Sequence, residues 1–266
     1  MPRQTGKSTT AAGYLLWYAM FVPDSTILIA AHKFTGSQEI MQRIRYAYES
    51  VPDFIRAGAV SYNKGSIDFD NGSRIVSATT TENTGRGMSI SLLYCDEFAF
   101  VQPNIAEEFW TSISPTLATG GAAIITSTPN SDEDTFATIW KESQDKFDEY
   151  GNEKQDSTGR NGFHGFMANW WEHPDRDEEW KKTEMGRIGE EKFRREYGCE
   201  FLGSSNTLID PNVISRLSYV NAIKSNDLGL KIYEEPKPNS VYMTIVDSSR
   251  GTGQDYSAFM VVDISS

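Results

Sequence analysis

Pro2-Arg3-Gln4-Thr5-Gly6-Lys7-Ser8-Thr9 is the stretch whose reading decides the fold. It closes on Gly-Lys-Ser, the core of a phosphate-binding loop. Gly6 allows a tight turn and a close approach of backbone to phosphate. Lys7 reaches the outer phosphates as a point charge, and the Ser8 hydroxyl can hold a magnesium ion. The apolar run Ala11-Ala12-Gly13-Tyr14-Leu15-Leu16-Trp17-Tyr18 follows and reads as a helix. Its N-terminal amides and positive dipole end would face the nucleotide. The full loop pattern, G-x-x-x-x-G-K-S/T, would put its first glycine where Met1 stands, and the strand expected to lead into the loop would lie before Met1. Short Gly-Lys-Ser matches also arise by chance, so the reading needs a carboxylate-bearing strand further along.

Ile90-Ser91-Leu92-Leu93-Tyr94-Cys95-Asp96-Glu97 supplies one. Asp96 would hold magnesium through its water shell, and Glu97 would orient and polarise the attacking water. The plain alternative is a buried strand that meets solvent with two acids. Two strand candidates lie between loop and acids, which suits a parallel α/β sheet. One is Ser25-Thr26-Ile27-Leu28-Ile29-Ala30-Ala31. The other is Gly65 to Ser77, a β-hairpin turning at Asn71-Gly72. In Thr84-Gly85-Arg86-Gly87-Met88-Ser89 a Gly-flanked arginine could deliver positive charge to a phosphate, or could be an exposed turn residue. Gly121 to Asn130 is a further apolar strand ending in Thr126, Ser127 and Thr128. Hydroxyls at a strand's C-terminal end can sense a γ-phosphate; ordinary turn chemistry is the alternative.

The 266 residues, 38% hydrophobic and 12% aromatic, suit one large domain or a domain with part of another. No apolar run is long enough to cross a bilayer, and no signal peptide is visible. Cys95 and Cys199 lack metal-ligand spacing and suggest no disulfide framework. A net charge of −12 argues against a surface that binds nucleic acid all over, though it leaves room for a local basic track.

Elsewhere, Thr35 or Ser37 is the expected cap of a helix running through Tyr48 and stopping near Val51-Pro52. His32 and Lys33, just before it, read as structural or solvated. A helix is expected from about Asn104 to Leu117, and a linker or mobile loop from Lys146 to Gly162. A smaller helical segment carries Trp170, Trp171 and Trp180, read as a small core rather than a base-stacking platform, with Arg194 and Arg195 read as a solvated face rather than one turned to DNA. Val241 to Asp247 and Ser257 to Asp263 form a second hairpin with Asp247 at its inner end, a place where two-metal nucleases put an aspartate.

These segments together resemble the large terminase subunit of tailed phages, the ATP-driven DNA-packaging motor, most like the T-even type, from Arg3 to Ser266. The likeness is carried by Arg-Gln-x-Gly-Lys-Ser, Asn63 to Ile67, Asp70 to Ser73, Gly85-Arg86-Gly87, Tyr94 to Phe100, Thr126 to Asn130, and Asp247 with Gly251-x-Gly253-Gln254-Asp255-Tyr256. The resemblance implies a P-loop NTPase fold of the ASCE type, with a parallel sheet and helices on both faces, over residues 1–150. A linker and helical lid would occupy 151–205, and the opening of an RNase H-like nuclease domain 206–266. It implies that Gln4, Gly6, Lys7, Ser8, Thr9 and Asp96 bind ATP and Mg2+, with Asp96 and Glu97 as the Walker B pair. Thr126, Ser127 and Thr128 would be the coupling motif at the nucleotide. Arg3 would stabilise the transition state, a role in which an arginine is worth ~10³–10⁵ in rate. Asp247 and Asp255 would be nuclease metal ligands for Mg2+ or Mn2+. The implied partners are double-stranded DNA, the portal protein, the small terminase subunit and further copies in a ring on the procapsid, in the host cytoplasm and with no membrane. The upstream strand, the adenine-contacting glutamine segment and the later nuclease acids of the family lie outside these residues, so impaired nucleotide affinity and an incomplete nuclease are expected. A helicase-like translocase and a catalytically inactive assembly module are the alternatives.

Overall fold

Two uninterrupted apolar runs become the middle of a sheet, because a strand covered on both faces has no use for alternation. The computed structural model describes residues 1–147, 158–201, 222–226, 230–248 and 258–265. The chain divides into two units, Met1–Pro211 and Asn212–Ser266. The first unit runs α1 (Lys7–Phe21), β1 (Thr26–Ala31), α2 (Phe34–Ser50), β2 (Ala59–Tyr62), β3 (Ser66–Phe69), β4 (Arg74–Thr79), β5 (Leu92–Asp96), α3 (Pro103–Ala118), β6 (Ala122–Thr126), α4 (Thr135–Gln144), α5 (Glu178–Ile188) and α6 (Glu190–Glu196).

The strand order is β2-β3-β4-β1-β5-β6. β4, β1, β5 and β6 are parallel, whereas β3 is antiparallel to both β4 and β2. The expected Asn-Gly hairpin is β3–β4: Phe69 N donates to Ser73 O, and Gly72 takes φ 83° in the turn. Along β1 the side chains alternate between two cores. Ile27 and Ile29 pack with α1 and α2, through residues such as Leu15, Leu16, Ile40 and Ile44. Leu28 and Ala30 pack with α3 and α4, through Phe109, Ile113, Phe136 and Ile139. Helices therefore cover both faces. Gly85 sits where the β4–β5 connection crosses the second core: at φ 79° a Cβ there would stand 2.6 Å from Ile113 Cδ1 and 2.8 Å from Leu28 Cδ2.

α2 begins two residues earlier than a Thr35 cap allows, and four earlier than a Ser37 cap allows. Lys33, in extended backbone, is its N-cap, with no side-chain cap bond; Thr35 and Ser37 lie inside the first turn, where Ser37 Oγ donates back to Phe34 O. Gly36 N and Ser37 N both donate to Lys33 O, so the first turn is already closed around Lys33 before either expected cap. The small helical segment has its own core of Trp170, Phe193 and Tyr197 with Trp180 packed against it, while Trp171 is exposed. Arg194 and Arg195 pair with Glu200 and Glu196 respectively. Of the stretch read as a linker, residues 148–157 lie outside the described residues.

The second unit holds a short pair, β7 (Lys224–Ser225) with β8 (Lys231–Ile232), and an antiparallel pair, β9 (Tyr242–Asp247) with β10 (Ala258–Asp263). Every residue of β9 is exposed, as are Phe259, Met260 and Val261 of β10. Asp247 faces Ala258 in the ladder. Asp255 lies outside the described residues.

Candidate nucleotide site

The C-terminal edge of the parallel sheet is level: Ala31 of β1 is paired with Asp96 of β5, and Asp96 with Thr126 of β6. Loops leaving such an edge converge above it, which is where open α/β sheets bind ligands. The loop before α1 comes to the same place. Gly6 is its N-cap at φ 80°, a left-handed conformation that glycine adopts without steric cost, and Thr10 N donates to Gly6 O to start the helix. Gln4 precedes it at φ 56°.

Two pairs of side chains join loop to strand end. Lys7 Nζ forms an ion pair with Glu97 Oε1, and the Lys7 side chain is 8% exposed. Ser8 Oγ lies 3.3 Å from Asp96 Oδ1. That carboxylate oxygen also accepts from Tyr94 OH at 2.8 Å and Thr126 Oγ1 at 3.1 Å. Burial, with the Asp96 charge beside it, pushes the Tyr94 phenol well above its ordinary range, so it stays a protonated donor. Three hydroxyls thus hold one carboxylate oxygen in a fixed direction.

Glu97 follows the strand at φ 51°, in the left-handed region. Its Oε2 accepts from Thr128 N at 3.3 Å and lies 3.4 Å from Ser127 Oγ. Ser127 in turn accepts from Ala99 N at 3.2 Å. Thr128 is fully buried, and its hydroxyl has no partner among the described residues. The hydroxyl run after β6 therefore touches the carboxylate after β5. His32, at the end of β1, has its pKa held below the ordinary 6.5 by burial and by Lys33, against the opposing pull of Glu97 and Asp96.

The remaining expected residues are placed differently. Arg3 pairs with Glu196 of α6 (Nε to Oε2, 2.7 Å), and its backbone N donates to Glu196 O. Arg176 Nη2 donates to Arg3 O at 2.7 Å, while its guanidinium stacks 4.8 Å from the Trp180 ring centroid. Thr9 is exposed and accepts from Arg43 Nη1 of α2 at 2.9 Å. Arg86 is exposed in its Gly-flanked turn, with Nη1 3.2 Å from Asn83 Oδ1, and lines a polar cleft with Glu107 and Glu108 of α3. Asp247 is exposed on β9, and among the described residues no three His, Cys, Asp or Glu side chains gather as a metal site.

The donor set at Ser8 and Asp96, hard oxygens with a lysine beside them and a helix N-terminus behind, fits a magnesium-bound triphosphate. A family model described as "Terminase large subunit, T4likevirus-type, N-terminal" matches residues 1–216. The chain belongs to the T4-like family of large terminase subunits. This terminase chain is 26% identical to a large terminase subunit of Thermus virus P23-45, over 98% of its own length and 56% of the relative's. It is 29% identical to that of Thermus phage G20c, over 67% of its own length and 35% of the relative's. It thus spans about half the length, or less, of the curated relatives it matches. In structure it is similar to the large terminase ATPase domain of Thermus phage P74-26, at a TM-score of 0.62 and 22% identity, covering 76% of this chain and 86% of that one. It is also similar to the HK97 bacteriophage large terminase, at 0.61 and 14%, covering 99% and 55%. At these identities the likeness shows the fold: a P-loop type α/β domain of terminase.

Sequence reasoning missed three contributors. Tyr94 was signalled by the period of a strand, since residues two apart share a face and Asp96 is two residues on. Glu196 and Arg176 left no such sign. Their contacts with Arg3 span more than 170 residues.

Proposed function

We propose that this chain carries the ATP-hydrolysing part of a phage DNA-packaging motor. The observation that supports it best is the pairing of Lys7 with Glu97 and of Ser8 with Asp96 at the level end of adjacent parallel strands. Lys7 and Glu97 neutralise each other here. A triphosphate entering the loop would take Lys7 as its counter-charge, which releases Glu97 to accept a proton from water and aim it. Ser8 and Asp96 would hold Mg2+, which supplies neutralisation of phosphate charge. Gly6 and the first amides of α1 would cradle the phosphates, and Gln4 and Thr9 flank them. Arg3 would add a second positive charge at the γ-phosphate on exchanging its contact with Glu196. Thr126, Ser127 and Thr128 already touch Asp96 or Glu97, so a change at either carboxylate reaches the end of β6 directly.

Under the same reading, residues 1–150 are the ATPase domain, 151–205 the linker and helical lid, and 206–266 the opening of a nuclease domain with Asp247 and Asp255 as metal ligands. The partners would be double-stranded DNA, the portal protein, the small subunit and further copies of the chain, met in the host cytoplasm. The test is magnesium-dependent phosphate release from ATP by the 266-residue chain and its Lys7→Ala variant. Release by the parent and loss in the variant is the expected result. Equal rates in the two would overturn the assignment.

A further inference from the structure

The positive side chains around the phosphate loop are held in different ways. Arg3 is paired with Glu196, and Lys7 with Glu97. Arg43, midway along α2, is not held by an acid. Its Nη1 donates at 2.9 Å to the hydroxyl of Thr9, the residue that follows Gly6-Lys7-Ser8. Among the described residues it has no carboxylate partner, although Glu39 lies one turn before it on the same helix. A hydroxyl engages one N–H of the guanidinium and none of its charge. An anion arriving at the loop has to displace Glu97 from Lys7 and Glu196 from Arg3 before it meets either charge. It meets Arg43 with no ion pair to break. Arg43 is also exposed, so the side chain is free to swing.

Neighbouring side chains say which part of the anion that would be. Lys7 and Ser8 turn toward the end of β5, to Glu97 and Asp96. Thr9, next around the helix, turns toward α2 instead. Gly6 is the N-cap, so the amides of Lys7, Ser8 and Thr9 open α1 without intrahelical partners. A phosphate chain with its outer end and magnesium at β5 leaves its inner phosphates to the Thr9 side. We propose that Arg43 is a nucleotide-binding residue that contacts the phosphates nearer the ribose, those that ATP and ADP share. This rests on the ATPase reading and adds to it a contact from α2, outside the loop and the two acids. The inner phosphates are present before and after hydrolysis. Arg43 therefore sets affinity for the nucleotide, and with it KM, without changing kcat. The plain alternative is a strap between α1 and α2. The apolar core that the two helices share, with Leu16 on one and Ile40 and Ile44 on the other, holds them together without it.

The test is Arg43→Gln, which keeps an N–H for Thr9 and loses the charge. Affinity of the whole chain for magnesium ATP and for magnesium ADP, read by calorimetry, should fall about tenfold alike. Raising salt from about 50 to about 200 mM should weaken ATP binding less in the variant than in the parent. Hydrolysis should show KM raised by the same factor and kcat unchanged, and Arg43→Lys should recover part of the affinity. In the parent, magnesium ADP should slow phenylglyoxal labelling of Arg43, read by mass spectrometry. Unchanged nucleotide affinity in Arg43→Gln, a loss confined to ATP, a fall in kcat in place of affinity, equal labelling with and without ADP, or weakened binding of a double-stranded DNA fragment with ATP binding intact each overturns the proposal. Equal hydrolysis by the parent and Lys7→Ala overturns the ATPase reading and this proposal with it. Loss of hydrolysis in Lys7→Ala beside full ADP affinity in Arg43→Gln overturns this proposal alone.

Discussion

β5 and β9 both end in aspartate, and the two acids are held very differently. β5 is buried along its length up to Asp96, whose carboxylate receives three hydroxyls. β9 is exposed along its length up to Asp247. An acid at a strand end becomes a site through the neighbours that orient it. The covered strand supplies them; the exposed one, among the described residues, does not. The largest test of this contrast is catalytic. Glu97→Gln should lower the rate of ATP hydrolysis by about 10²–10⁴-fold, the usual worth of a positioned base, while Asp247→Asn should leave it unchanged. A fall of similar size in both, measured by phosphate release, would end the comparison.

The next test concerns stability. Leu93→Ala opens a hole in a strand buried on both faces and should cost about 2–5 kcal/mol, read as a lowered denaturant midpoint of the first unit. Val246 is 66% exposed, and Val246→Ala should fall within about 0.5 kcal/mol of the parent. Smaller than the Leu93 effect is that of Tyr94→Phe, which removes the hydroxyl that donates to Asp96 and meets the Thr126 hydroxyl, without changing packing. It should cost about 1 kcal/mol and weaken magnesium-dependent nucleotide binding more than it weakens the fold. The smallest effect is that of His32. Its pKa is lowered by burial and by Lys33, so the unfolded chain takes up a proton more readily. Stability should therefore rise with pH through the region of the ordinary 6.5, and His32→Gln should flatten that slope in melting temperatures taken from pH 5.5 to 7.5.

Much of the candidate site's geometry was legible because its signals are local. Gly6-Lys7-Ser8 needs only a turn and a helix start. β1 and β5 announce themselves as unbroken apolar runs, and Asn71-Gly72 marks its turn by backbone chemistry alone. What stayed hidden depends on distant contacts or on competition between near-equal choices. Arg3 reads as a phosphate ligand, yet in this structure it lies against Glu196, far along the chain. Thr35 and Ser37 are good caps by residue type, but the amides of Gly36 and Ser37 bond to Lys33 O, and the helix starts ahead of both. The hairpin of β9 and β10 was foreseen as a pairing, whereas its exposure on both sides was not, since apolar residues along a strand announce a need for cover without saying what supplies it.

Glu97 carries one more consequence. A residue with a side chain at φ 51° is disfavoured by roughly 1–2 kcal/mol relative to the right-handed region, and glycine would escape that cost. Selection for robustness alone would thus erode the very position to which the proposed function assigns the base. A descendant freed from the proposed hydrolysis should drift toward glycine here, becoming hardier as it loses that chemistry.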